Sequence, residues 1–201
     1  QALRFITKGN NMKKLIAGLV MTAALPVMAQ DNAGTVSSNF NYNFVEADYV
    51  DFDSGFDGFR VKGSFDVQSN LAVIGSIGLY DEQNVDLQVI SGGVAYHMNA
   101  GELLEADALR NTDLVFHGEL EWADISYDCP SFANCSDDDD LGILAGVEAR
   151  IGIIDRLEAF ADLSLRTTWD TDVVFGGGVR FAVIEQLQLL AGVEIADDDN
   201  I

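Results

Sequence analysis

The sequence predicts an all-β chain, an antiparallel up-and-down barrel, on three observations. Apolar and polar residues alternate along nine stretches. Terse turns and longer acidic loops separate those stretches in turn. Proline is nearly absent: the 201 residues contain two, Pro26 and Pro130, and neither falls within an alternating stretch. Period-2 alternation marks a strand with one apolar and one polar face. Strands that keep every ladder hydrogen bond exclude proline in this way.

The pattern is clearest over residues 141–195, four consecutive strands. In 141–151 the residues Ile143, Ala145, Val147, Ala149 and Ile151 alternate with a set that includes Glu148 and Arg150. In 157–166 the apolar set is Leu157, Ala159, Ala161, Leu163 and Leu165, against Glu158, Asp162, Ser164 and Arg166. In 173–183 it is Val173, Phe175, Gly177, Val179, Phe181 and Val183, with Arg180 opposite. In 187–195 it is Leu187, Leu189, Ala191, Val193 and Ile195, with Gln188 and Glu194 opposite.

Alternation alone does not say which face is inside. A soluble sandwich or barrel buries the apolar face, whereas a transmembrane barrel turns it to lipid. Two features point to lipid. The apolar face is mostly Leu, Val, Ile and Ala, which suits a featureless solvent. The polar face mixes charges of both signs with Gly146, Gly176, Gly178 and Gly192, which suits a crowded, ion-paired interior.

The five earlier strands follow the same rule. Residues 40–52 put Val45, Ala47 and Tyr49 opposite Glu46 and Asp48. Residues 59–67 put Phe59, Val61, Phe65 and Val67 opposite Arg60, Lys62, Ser64 and Asp66. Residues 71–80 carry Leu71, Val73, Ile77 and Leu79 on one face; residues 85–97 are largely apolar on both. Residues 98–111 read as a connector with a turn or two of helix. Residues 112–125 set Leu114, Phe116, Leu120 and Trp122 against Asp113, His117, Glu119 and Glu121.

The turns at 68–70, 154–156 and 184–186 are terse. The loops at 51–57, 126–140 and 167–172 are longer and acidic. Short turns at one end and larger loops at the other is the outer-membrane arrangement. Aromatics near strand ends read as two girdles, Tyr49, Tyr80, Trp122 and Trp169 at one rim and Phe65, Tyr96 and Phe181 at the other.

Residues 12–29 read as a secretory signal: Met-Lys-Lys, an apolar run too short to span a membrane, then small residues with cleavage after Ala29. Residues 1–11 then read as an upstream extension outside the native protein, and 30–201 as the barrel. Four basic residues (Arg4, Lys8, Lys13, Lys14) and no acidic ones precede Gln30, so the remainder carries 7 basic against 33 acidic residues, a formal charge of −26. That acidity argues against a nucleic-acid partner, which would need a basic footprint.

Nine strands do not close neatly, because the first and last would run parallel. The expectation is a ten-stranded wall whose last strand lies beyond Ile201, with an eight-stranded wall as the alternative. Residues 12–29, 42–47 (Tyr-Asn-Phe-Val-Glu-Ala), 58–64 (Gly-Phe-Arg-Val-Lys-Gly-Ser), 92–96 (Gly-Gly-Val-Ala-Tyr) and 191–194 (Ala-Gly-Val-Glu) resemble the small porin-like outer-membrane β-barrel proteins of Gram-negative bacteria, the opacity-type and OmpA-like group. The resemblance implies an outer-membrane location. It implies outer-membrane lipid, lipopolysaccharide and barrel assembly machinery as partners. It also implies a final strand with a terminal aromatic, from which Ile201 departs.

The predicted lumen collects Arg60, Lys62, Arg150, Arg166 and Arg180 with Glu46, Asp48, Asp66, Glu119, Glu121, Glu148, Glu158, Asp162 and Glu194. One reading is a charged pore. The other is an ion-pair network that fills a closed barrel, and this is preferred because only wide barrels leave an aqueous channel. A monomer with a structural, surface-interaction or minor porin-like role follows. The alternatives are a barrel enzyme acting on lipid or peptide, dependent on His117 or His97, and a soluble periplasmic barrel holding an apolar ligand. No base–nucleophile pairing is legible around either histidine, so no catalytic residue is expected, nor a cofactor. Cys129 and Cys135, in an exported loop, are expected to form a disulfide. Asp137, Asp138, Asp139 and Asp140 lack the spacing of a calcium loop and read as a solvated acidic segment, so no metal site is expected.

Overall fold

The computed structural model describes residues 16–22, 40–51, 56–127, 138–184 and 187–196. It is an all-β, antiparallel, up-and-down arrangement. The strands are β1 (Ile16–Thr22), β2 (Phe44–Asp51), β3 (Asp57–Gln68), β4 (Leu71–Glu82), β5 (Val85–Asn99), β6 (Thr112–Tyr127), β7 (Asp138–Ile154), β8 (Leu157–Arg166), β9 (Asp172–Ile184) and β10 (Leu187–Ala196). The nine strands read from alternation are β2 to β10. Each pairs antiparallel with its sequence neighbour, in one sheet ordered β1-β10-β9-β8-β7-β6-β5-β4-β3-β2. The sheet curls until β1 lies alongside β2.

The tenth position is held by β1, antiparallel to β10 from Ile16↔Glu194 to Thr22↔Gln188. This strand lies inside residues 12–29. It stands where the sequence reading expected a strand from beyond Ile201, and it makes the number of described strands even.

The strand ends differ from the sequence reading in two places. Residues 126–140 read as one loop, yet β6 runs to Tyr127 and β7 starts at Asp138, with Ile125↔Asp138 and Asp124↔Asp139 in register. Backbone pairing extends past the point where the side chains stop alternating. At the other end, Phe40–Asn43 read as part of the first strand, but β2 begins at Phe44. Tyr42 instead folds into the lumen.

The apolar face is outside. Phe59, Leu79, Leu141, Ile143, Leu163, Leu165, Phe175 and Val179 are exposed, while Glu46, Asp48, Asp113, Glu119, Glu121, Arg150 and Arg180 are buried. Asp48 and Asp113 are the largest side chains that are fully buried. The small apolar cluster of Tyr42, Ala72, Ile74, Ala95 and Val115, with Phe40 against it, lies inside the turn end of the barrel. One member of the expected girdles is corrected: Tyr80 is buried in the lumen, whereas Tyr49, Trp169, Phe65, Tyr96 and Phe181 are exposed. Tyr80 shares the inward parity of Ile74 and Ser76. Gly78 leaves room for it, since a Cβ there would collide with the Tyr80 ring.

The connector between β5 and β6 holds two short helical turns: α1 (Ala100–Leu103), capped by the Asn99 side chain, which accepts from the Gly101 and Glu102 amides, and a 3-10 turn at Asp107–Leu109. Asn99 also donates to Asp113 at 3.1 Å, which ties the connector to the lumen floor.

Candidate functional site

Among the described residues, period-2 strands with inward charges gather the titratable side chains in the lumen. Its lowest layer is aromatic. Tyr42 stacks on His97 with ring centroids 3.7 Å apart. Its hydroxyl donates to Asp113 at 3.0 Å. His97 Nε2 is 3.1 Å from Asp66 Oδ1. The Arg150 guanidinium lies over the rings of Phe40 and Tyr42, at 5.0 and 4.7 Å. A cation over an aromatic face is attracted by the ring quadrupole, more so when both are shielded from water.

The next layer is ionic. Arg150 makes a two-pronged pair with Glu158, Nε to Oε1 at 2.6 Å and Nη2 to Oε2 at 3.0 Å. Arg180 Nη1 reaches the same Glu158 at 3.0 Å. Arg180 also meets Glu148 at 3.9 Å and, across the lumen on β2, Glu46 at 3.7 Å. Its guanidinium sits 4.5 Å from the Phe160 ring centre. Two guanidiniums thus share one carboxylate while two further carboxylates stand off them, an arrangement water would break at an exposed site.

Above this is a belt of hydrogen bonds. Ser76 and Ser91 hydroxyls lie 2.8 Å apart, Ser91 donates to Glu119 at 2.6 Å, and His117 Nδ1 stands 3.7 Å from Glu119. His117 Nε2 is 3.0 Å from Asp162 and 3.4 Å from Ser164 Oγ. Ser164 itself donates to Asp162. The belt therefore brings a serine, a histidine and two acids together, which no spacing in the sequence announced. The serine proton is committed to Asp162 and not to the imidazole, so His117 is not placed to raise a nucleophile.

The top layer is looser. Arg166 Nε stands 3.1 Å from Glu121 without the alignment of a hydrogen bond, and Nη2 is 3.7 Å from Glu194. Thr168 donates to Glu121 at 2.8 Å. Arg60 pairs with Asp48 at 3.0 Å. Lys62 lines the lumen with no ion pair among the described residues.

The remaining space is a cavity of about 400 Å³ running from Tyr42 and Arg150 up to Trp169, lined by seven carboxylates and five cationic side chains. At about 30 Å³ per water that is room for roughly thirteen molecules. Of the fourteen residues assigned to the lumen from sequence, eleven line this cavity; the other three, Asp48, Asp66 and Glu158, pair with Arg60, with His97 and with Arg150 and Arg180. Tyr42 and Phe40 were missed, because a lone aromatic before a strand carries no periodic signal. Cys129 and Cys135 lie outside the described residues, as does Asp137. No group of ligating residues suited to a metal ion occurs among the described residues.

No family model matches this chain, and no curated protein matches it. Among solved structures it is similar to the crystal structure of Ail, the attachment invasion locus protein of Yersinia pestis, at 11% identity and a TM-score of 0.38, over 92% of this chain and 97% of that one. It is also similar to the backbone structure of the Yersinia pestis outer membrane protein Ail in a phospholipid bilayer nanodisc, at 10% identity and a TM-score of 0.36, over 92% and 100%. Likeness at that level carries no argument about this chain, whose function has to be read from its own residues.

Proposed function

We propose that this protein is an outer-membrane β-barrel of a Gram-negative bacterium, with residues 12–29 as an export signal whose removal takes β1 out of the wall, a structural or surface-interaction role, and a lumen closed by its own ion pairs. The observation that carries the reading is the inverted burial: exposed Phe59, Leu79, Leu141 and Leu163 on the outside, buried Asp48, Glu121, Arg150 and Arg180 on the inside. Water does not favour that distribution, since apolar surface left wet gives up about 25 cal/mol per Å². A bilayer removes the penalty, because only the outward face meets acyl chains and the strands satisfy one another's backbone groups. A soluble barrel holding an apolar ligand would need the opposite faces.

The closed lumen is supported by Tyr42, His97 and Arg150 across the turn end and by a residual space of only about 400 Å³. Its partners on this reading are outer-membrane lipid and lipopolysaccharide, with barrel assembly machinery during insertion, and it works as a monomer without enzymatic activity. The acidic loop end then faces outward from the cell. Fractionation tests the assignment. The barrel is expected in the outer-membrane fraction, heat-modifiable on gels; release by osmotic shock as a soluble protein would contradict it. Planar-bilayer recording is expected to show no steady open channel.

A further inference from the structure

The turn end carries apolar surface beyond the wall. Among the described residues the connector between β5 and β6 is the longest link at that end; the β3–β4 and β7–β8 links are two residues each. Its backbone is pinned. Asn99 caps α1 and donates to the Arg110 carbonyl at 2.9 Å, and the Ala106 amide donates to the Gly101 carbonyl at 2.9 Å. Gly101 packs so closely on Arg110 that a Cβ there would lie 2.8 Å from the Arg110 amide nitrogen. Yet Leu103 is 50% exposed and Leu104 59%. Two adjacent leucines held out on a fixed backbone mark a contact surface.

That surface continues the outside of the barrel. On β7, Ile153 keeps the outward parity of Ile143 and Ile151, and all three are exposed. Ile151 pairs with Thr112, the first residue of β6, so Ile153 lies past the end of that strand. There the Gly152 amide donates to the Asn111 carbonyl at 2.8 Å, which sets the end of the row against the connector. Ile154 is exposed beside it. The charged neighbours Glu102, Glu105, Asp107 and Arg110 are exposed as well. Leucines interleaved with charges suit the headgroup layer, where apolar side chains reach the acyl boundary and charged ones stay in water. A periplasmic protein would cover the leucines but not the row that runs on from them up the wall.

We propose that the β5–β6 connector lies in the headgroup layer of the periplasmic leaflet, with Leu103 and Leu104 inserted at the acyl boundary beside Ile153 and Ile154. The connector is then a membrane-surface anchor and not a free periplasmic loop. This rests on the outer-membrane reading, which turns the same row of β7 to lipid.

Tryptophan fluorescence of the folded chain in phosphatidylcholine vesicles tests this. Trp122 and Trp169, the two native tryptophans, are replaced by phenylalanine. A single tryptophan is then placed at Leu104, at Ile154 or, as a reporter in the middle of the wall, at Leu120. Lipids brominated near the top of the acyl chain quench an interfacial tryptophan, and lipids brominated near its end quench one at mid-bilayer. Leu104→Trp and Ile154→Trp are expected to emit at blue-shifted wavelengths and to lose most of their emission to the shallow bromines, less to the deep ones. Leu120→Trp is expected to be quenched by the deep bromines. Emission as in water, open to aqueous iodide, from either folded connector-end variant while Leu120→Trp is quenched by lipid would overturn the proposal and leave the membrane reading standing; it is the outcome expected if a periplasmic protein covers the leucines. Failure of bromines to quench Leu120→Trp would overturn the membrane reading and this proposal with it.

Discussion

The two ends of the lumen are built from the same residue types and hold together differently. At the turn end, Arg150 has a two-pronged carboxylate partner and two aromatic faces, and Tyr42 is stacked and hydrogen-bonded. At the loop end, Arg166 stands off Glu121 and Glu194 at longer range or poorer alignment, and its side chain is 29% exposed. Further up, carboxylates face one another across the ladder, Asp51↔Asp57, Asp57↔Asp81 and Asp81↔Asp86. Charge alone therefore does not stabilise a lumen. What stabilises it is shielding from water and geometry that uses the donors, and the Arg150 site has more of both than the Arg166 site, although Arg60 in the same upper layer also bonds the fully buried Asp48.

The largest effect is expected from Arg150→Ala. It leaves Glu158 and Glu148 with Arg180 as their one remaining cation among the described residues and removes two cation–π contacts, so unfolding in urea from lipid vesicles is expected to show a loss of about 3 kcal/mol. A loss below about 1 kcal/mol, the range of an exposed pair, would erase the difference between the two ends. Tyr42→Ala comes next, at about 3 kcal/mol on the scale of other buried aromatic truncations. It also opens the floor, so bilayer recording is expected to show conductance absent from the parent.

Arg166→Ala is expected to cost about 1 kcal/mol or less, because solvent screens a partly exposed pair. The smallest effect has the opposite sign. Asp81→Asn relieves repulsion from Asp57 and Asp86, and is expected to stabilise by about 0.2–1 kcal/mol, more at low salt. If it destabilises instead, the acidic rim is holding a cation and the contrast between the ends fails there.

Most of the wall was legible because alternation is a property of each strand alone. Leu163 and Ser164 take opposite faces wherever β8 is placed, and a slip of one residue would exchange them. Even β5, apolar on both faces by sequence, takes its phase from its neighbours: Ser91 faces Glu119 inside while Tyr96 is exposed. The contacts within the lumen were less legible. That Arg180 on β9 reaches Glu46 on β2 depends on how the sheet curls, and no local pattern encodes it. Tyr42 was read as strand, and its stack on His97 depends on a turn before β2 that has no glycine or proline to mark it. The tenth position reads differently in sequence and structure for another reason. The segment Ile16–Thr22 is apolar without alternation, so its sequence reads as a leader, while the structure pairs its backbone with β10.

The most direct test of an apolar face turned to lipid is the environment of two adjacent residues on β8. Spin labels placed singly at Leu163 and at Ser164, in a chain with Cys129 and Cys135 replaced by serine and reconstituted in lipid vesicles, report collision with lipid-dissolved oxygen. High oxygen accessibility is expected at Leu163 and low accessibility at Ser164. The reverse order would place the apolar face in the lumen and contradict the barrel's inverted burial.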